Sequence, residues 1–192
     1  MHSSRIYIYG LARVPRTQHL RPQRHPRLHL RLHPHRMPEY KRPESVIVLV
    51  HSRCYQVLML SRVAPADFWQ SVTGSLEPGE TPQAAAVREL QEETGIKVPD
   101  QGTLIDHQKS VVYPIVPPWL SRYAPGVTSN REHRFSVEVQ IDEPVKINPA
   151  EHVAWRWLSF AEAAQLTGSA SNRDFINSFY SDILEKAQQQ NS

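Results

Sequence analysis

The sequence predicts an α/β fold in which a mixed β-sheet is covered by helices on both faces. Three observations support this. Apolar runs of strand length are interleaved with a few helical patterns in no regular strand–helix–strand rhythm. Phe135, Val137, Val139 and Ile141 alternate with Ser136, Glu138 and Gln140, the pattern of a half-buried strand. Two helices carry recognisable start signals, at Thr81–Pro82 and at Ser159.

Taken in order, VIVLV from Val46 and YQVLMLSR from Tyr55 flank His51–Arg53 and predict two strands joined by a tight connection. Cys54 falls beside that connection and is read as a packed or hairpin residue. FWQSVTG from Phe68 predicts a strand leading into a loop with Gly74 and Gly79. Thr81 caps the next helix and Pro82 suits its first position. AAAVRELQEE is rich in helix formers, and Gly95 can end the helix in a left-handed conformation. Leu90 and Val87 are expected to anchor it in the core. Leu104–Val116 reads as strand with a proline-rich exit through Pro117 and Pro118. Val153, Trp155 and Trp157 repeat the strand alternation, Ser159 and Glu162 form a capping box, and a last helix runs from about Ser171 to Gln188. Trp69, Trp155 and Trp157 are assigned to the core, and His133 and His152 to structural roles.

Charge divides the chain of 192 residues unevenly: residues 1–36 hold eight of its 22 Lys and Arg, six of its ten His and none of its 19 acids. The remainder keeps 14 basic residues against 19 acidic ones, a balance of −5, so the pI of about 9.1 is set by the arm. Residues 1–37 are therefore expected to be a basic, disordered extension, and 38–188 the folded domain. Three readings of the extension compete: a nucleic-acid-binding arm, a targeting peptide, or a start codon placed too far upstream, with Met37 as the biological start. The last is favoured, because ordered-looking sequence begins at MPEYKRPESVIVLV. Deleting residues 1–36 is then expected to leave catalytic activity unchanged. A binding arm would instead lose salt-sensitive RNA or DNA binding, read by filter retention across a salt series. The sole cysteine cannot form an intrachain disulfide. No apolar run approaches the roughly 20 residues that span a bilayer. A soluble, cytoplasmic chain with no membrane partner is expected, with no nucleic acid for the core domain; nothing in the sequence specifies an oligomeric state.

The chemistry concentrates in GSLEPGETPQAAAVRELQEETGI, from Gly74 to Ile96. At about 100° per residue, Glu89 and Glu93 lie within about 40° of each other on one helix face, and Glu92 lies about 60° to the other side of Glu89. Like charges so close repel, and acids near a helix C-terminus oppose the macrodipole. A divalent cation resolves the conflict, and carboxylate oxygens with water suit a hard ion such as Mg2+. Arg88, one turn before Glu92, is expected to pair with loop or helix carboxylates and fix the geometry.

Gly74, Glu80, Arg88, Glu89, Glu92, Glu93 and Gly95, with apolar Leu90 and Ile96, stand at the spacing of the Nudix signature without departure. Chance would place seven such identities in a chain this long on the order of once in a million. The chain thus resembles the Nudix hydrolases, which implies a Nudix-type α/β/α sandwich with a signature loop-helix-loop and cleavage of a phosphoanhydride. YKRP, DFWQSVTGS, LIDHQ, RYAPGVT, EH at Glu151–His152 and SNR are similar to a branch of that family acting on 7,8-dihydroneopterin triphosphate, a small-molecule substrate. The resemblance implies Glu89, Glu93 and Glu151 as magnesium ligands, and Lys41, Arg62, Thr73, Tyr113, Pro114, Ile115, Val116 and Ser169 as substrate contacts. Glu92 and Glu151 are both candidates for the catalytic base. A nucleoside triphosphate, dATP or oxidised dGTP, is the alternative substrate.

Overall fold

The computed structural model describes residues 40–98, 104–117, 119–142 and 144–190. The expectations for the basic extension, the start at Met37 and Pro118 lie outside the described residues. Among them are strands β1 (Glu44–Ser52), β2 (Gln56–Arg62), β3 (Trp69–Gln70), β4 (Val72–Ser75), β5 (Leu104–Pro114), β6 (Ser129–Val139) and β7 (His152–Ser159). The helices are α1 (Pro82–Thr94), α2 (Phe160–Leu166) and α3 (Ala170–Gln190), with a short 3-10 turn at Leu120–Arg122.

All seven strands join one mixed sheet. β1 runs parallel to β6 along its whole length and antiparallel to β4 at Ser45–Val48 and to β2 at His51. β3 and β4 are one segment broken at Ser71: Trp69 and Gln70 pair with β2, after which Val72–Ser75 cross to β1. β7 closes one edge against β2, and β5 the other against β6.

Because β1 is central, its apolar run is buried on both faces, which explains why it shows no alternation. Val46, Val48 and Val50 join Leu58, Val72, Phe135 and Val137 under Ala85, Ala86 and Leu90 of α1. Ile47 and Leu49 turn the other way, with Val57 and Met59, to meet Phe160, Ala163, Phe175, Ile176 and Phe179 of α2 and α3. Each Val, Leu, Ile, Met or Phe among them stabilises the fold by about 1.5–3 kcal/mol on leaving water.

The helix signals act as read. Thr81 Oγ1 accepts from Ala84 N at 3.2 Å, and Gly95 adopts φ 72° while its N–H reaches Gln91 O. Ser159 Oγ accepts from Glu162 N at 3.3 Å, and the Glu162 carboxylate accepts from Ser159 N at 2.9 Å. Two packing expectations fail. Val87 is exposed, because Ala86, Leu90 and Glu93 define the inner face of α1 and Val87 lies about 100° from it. Trp155 is exposed because β7 is an edge strand while α1 packs over β1 and β4; Trp157 and Trp69 remain partly buried against the two cores. Cys54 is exposed in the connection between antiparallel β1 and β2, the hairpin position of the two that the sequence allowed. β6 also differs, ending at Val139 but starting at Ser129, where Asn130, Glu132 and Arg134 are buried and polar.

Candidate active site

Arg88 organises the loop before α1. Its Nε and Nη2 each reach a Glu80 oxygen at 2.9 Å, a bidentate pair. Nη1 donates to Glu89 Oε1 at 2.7 Å and to Glu92 Oε2 at 3.1 Å, and Nη2 also reaches Ser75 O. Glu80, which belongs to the spacing but carries no other role, thus becomes the clamp that fixes the arginine. Hydrogen bonds from Arg88 hold the Glu80 carboxyl below the usual carboxylate range.

Arg88→Ala is expected to leave three carboxylates without their counter-charge and to lower stability by about 2–3 kcal/mol, read from urea unfolding. Arg88→Lys should recover little, since one ammonium cannot span the same fork.

Glu89 and Glu93 are buried, whereas Glu92 is exposed beyond the arginine. Burial pushes the Glu89 carboxyl up to about 7 against the pull of Arg88, and Glu93 and Glu92 push in the same direction as burial. The Glu93 carboxyl is also raised by burial, partly offset by His152. Glu93 Oε2 accepts from Thr73 N at 3.2 Å, and the Thr73 hydroxyl is held by Gln70 Nε2 at 2.8 Å.

On the other side of Glu93, His152 Nε2 lies 3.3 Å from Oε1, yet neither atom makes a well-formed hydrogen bond. Glu93, Glu151 and His152 offer ligand atoms within 4.8 Å of one another. Orphaned acceptors, buried like charges and an adjacent carboxylate are a donor set that could hold a cation. His152 received a structural role from sequence; its place beside Glu151 at the start of β7 puts it against Glu93, where it can orient that carboxylate. Asn148 Nδ2 reaches Glu151 Oε1 at 3.3 Å.

Cationic side chains gather beside this cluster. Arg62 ends β2 opposite His152, and Val63 N donates to Glu151 O at 2.8 Å. The Arg62 and Arg122 guanidinium groups lie 5.3 and 5.6 Å from the Trp119 ring centre, and Lys41 N donates to Arg122 O. Partial loss of water around the Lys41 ammonium, then the charge of Arg122, lowers its pKa, while Glu89 and Glu151 act in the opposite direction. Arg122 lies in the RYAPGVT segment, and its contact with the same aromatic ring as Arg62 is a tertiary feature with no local signal.

A second group of expected substrate contacts lies across the sheet. Tyr113 pairs with Asn130 on β6, and its hydroxyl accepts from Asn130 Nδ2 at 3.0 Å. Ser169 precedes α3, where its Oγ accepts from Asn172 N and contacts Ser171 Oγ at 3.1 Å. Pro114 and Val116 are exposed, and Ile115 is buried. The structure therefore brings Glu89, Glu93, Glu151, Thr73, Lys41 and Arg62 to one end of the site and Tyr113 and Ser169 to the other.

The sequence profile of the NUDIX domain matches residues 41–179. The chain belongs to the Nudix hydrolase family. Within it, this Nudix chain is 46% identical over 142 residues to the dihydroneopterin triphosphate diphosphatase of Escherichia coli K12, covering 73% of this chain and 93% of that one. It is 38% identical over 146 residues to the Haemophilus influenzae protein of the same name, covering 74% and 90%. The solved structure of the Escherichia coli dihydroneopterin triphosphate pyrophosphohydrolase superposes with a TM-score of 0.69 at 46% identity, covering 73% of this chain and 96% of that one. No helix among the described residues is long and apolar enough to cross a membrane.

Proposed function

We propose that this Nudix hydrolase converts 7,8-dihydroneopterin triphosphate to the monophosphate and pyrophosphate, a step towards folate taken in the cytoplasm, with Mg2+ as cofactor. The observation that carries the reading is 46% identity across nearly the whole length of a protein bearing that activity's name. The cluster of Glu93, Glu151 and His152, with Lys41 and Arg62 close by, supports it.

Glu89, Glu93 and Glu151 would hold the magnesium, whose charge neutralises the triphosphate and acidifies water. The chain supplies the rest. Arg88 fixes the loop-helix geometry through Glu80, so that Glu89 and Glu93 do not splay apart. Thr73 N holds one oxygen of Glu93 in place, and His152 Nε2 lies 3.3 Å from the other. Lys41 and Arg62 attract the phosphate chain and orient it. Water attacks phosphorus, the P–O bond to the departing pyrophosphate breaks, and a carboxylate takes the water's proton. Glu151 and Glu92 are the candidates for that role. Glu151 lies beside the buried pair, whereas the Glu92 oxygen Oε2 already accepts from Arg88.

The test is pyrophosphate release from dihydroneopterin triphosphate, dATP and dGTP with and without Mg2+, using protein started at Met37. The pterin triphosphate is expected to give the highest kcat/KM, with no turnover in chelator. A higher value for dATP would sink the substrate assignment.

A further inference from the structure

We propose that Glu132 reads the ring of the substrate, its carboxylate accepting the two adjacent donors of a 2-amino-4-oxopyrimidine edge, the ring N3–H and the exocyclic amine. The proposal rests on the pterin triphosphate reading above and names the group that gives it specificity.

Glu132 is 3% exposed on β6, on the face turned towards α3. A carboxylate so deeply buried ordinarily has an ion-pair partner or a full set of donors. Glu132 has neither. Its Oε2 is approached only loosely, by the Tyr113 hydroxyl at 3.4 Å and Ser171 Oγ at 3.5 Å, and its Oε1 has no partner. The nearby Arg134 does not form a salt bridge with it; that guanidinium reaches Ser171 O and lies 5.1 Å from the Phe175 ring centre. Two residues earlier on the same face, Asn130 Oδ1 is likewise buried and unpartnered, while its Nδ2 is occupied by Ser45 Oγ and Tyr113. Burial pushes the Glu132 carboxyl up to about 7, with Ser171, Arg134 and Tyr113 pulling the other way.

Two acceptors without donors, side by side, call for a ligand edge that is rich in donors. The position suits one. Glu132 touches Tyr113 directly and Ser169 through Ser171, so it joins two of the substrate contacts that the family resemblance implies, Tyr113 offering a flat face for a ring. Glu132 pairs across β1 with Ser45, which pairs in turn with Ser75 at the mouth of the acidic loop. Two strand spacings, about 10 Å, therefore separate the ring reader from the phosphate end.

The chemistry discriminates. A pterin and a guanine both present N3–H or its purine equivalent beside a 2-amino group, matching the two oxygens of a carboxylate. Adenine presents an amine beside a ring nitrogen that is itself an acceptor, which an ionised carboxylate repels. A hydrogen-bonding site left unpaired by the wrong ring rejects it strongly.

The experiment measures kcat/KM for dihydroneopterin triphosphate, dGTP, dITP and dATP with the wild type and with Glu132→Gln, alongside melting curves. The wild type is expected to lose about 10- to 100-fold from dGTP to dITP, which differ only in the 2-amino group. Glu132→Gln is expected to lower turnover of the pterin and dGTP by a similar factor while leaving dATP unchanged or improved, so that selectivity collapses. Equal losses on all four substrates, or no loss on any, would overturn the proposal in favour of a packing role. If the variant does not fold, the wild-type dGTP to dITP ratio decides alone, and a ratio near one overturns it. Failure here leaves the wild type still preferring the pterin to dATP; failure of the functional reading removes that preference itself.

Discussion

Replacing Glu93 with Gln abolishes turnover and leaves the fold intact: kcat falls by about 10³-fold, with a melting temperature at or above that of the wild type in metal-free buffer. The first half follows from what the carboxylate faces. Its two oxygens lie against Thr73 N and His152, within 4.8 Å of Glu151, at the focus of the acidic cluster. Losing its charge removes several kcal/mol of stabilisation for a polyphosphate site, and each 1.4 kcal/mol or so is tenfold in rate. The second half follows from burial. Glu93 is fully buried and its carboxyl is pushed up by that burial, so the ionised form is a cost to the metal-free fold. Glutamine keeps the shape and an oxygen for Thr73 N. Two measurements separate the effects: pyrophosphate release, and melting with and without Mg2+. The wild type should gain stability from the ion, as any ligand of the native state confers, and the variant should lose most of that gain. A variant retaining full turnover would refute the assignment of Glu93 to the metal.

Much of this site was legible because its parts sit close in sequence on a regular helix. Glu80, Arg88, Glu89, Glu92 and Glu93 are spaced by helix and loop geometry, so period alone places Glu89 and Glu93 together, and the cap residues Thr81 and Gly95 fix where the helix begins and ends. The fold was legible for the same kind of reason: central strands are apolar, and caps are local. What escaped depends on contacts between distant segments. His152 looked structural because nothing in EHVAWRW reveals that β7 delivers it to the end of α1. Glu132 was invisible because SNREHR reads as a polar surface stretch, whereas the parallel pairing of β6 with β1 buries Asn130, Glu132 and Arg134 beneath α3. Trp155 misled in the opposite direction: alternation marks a strand but not whether its outer face has a cover.

Gly74→Ala is expected to cost about 10²-fold in kcat with little loss of stability, because this glycine makes room for Glu89, a proposed metal ligand. A Cβ at Gly74 would lie 1.7 Å from Glu89 Cδ, 1.8 Å from its Oε1 and 2.3 Å from its Cγ, so the two cannot coexist as they stand. The obstacle is the far end of a flexible side chain, which can swing aside while β4 and α1 stay where they are. What moves is the carboxylate that Arg88 holds at 2.7 Å, and a displacement of about 1 Å in such a group costs on the order of 10²-fold. Gly95 provides the contrast. It sits at φ 72° at the end of α1, and the nearest atoms to where its own Cβ would be all belong to Lys146, whose Cβ would lie at 3.2 Å, with none on Glu89 or Glu93. Gly95→Ala therefore strains the backbone and should lower stability by about 1–2 kcal/mol while leaving the activity per folded molecule unchanged. Activity and urea midpoints measured on both variants should thus move in opposite patterns. If Gly74→Ala instead unfolds the protein, or keeps full activity, then the glycine of the signature is not there to make space for Glu89.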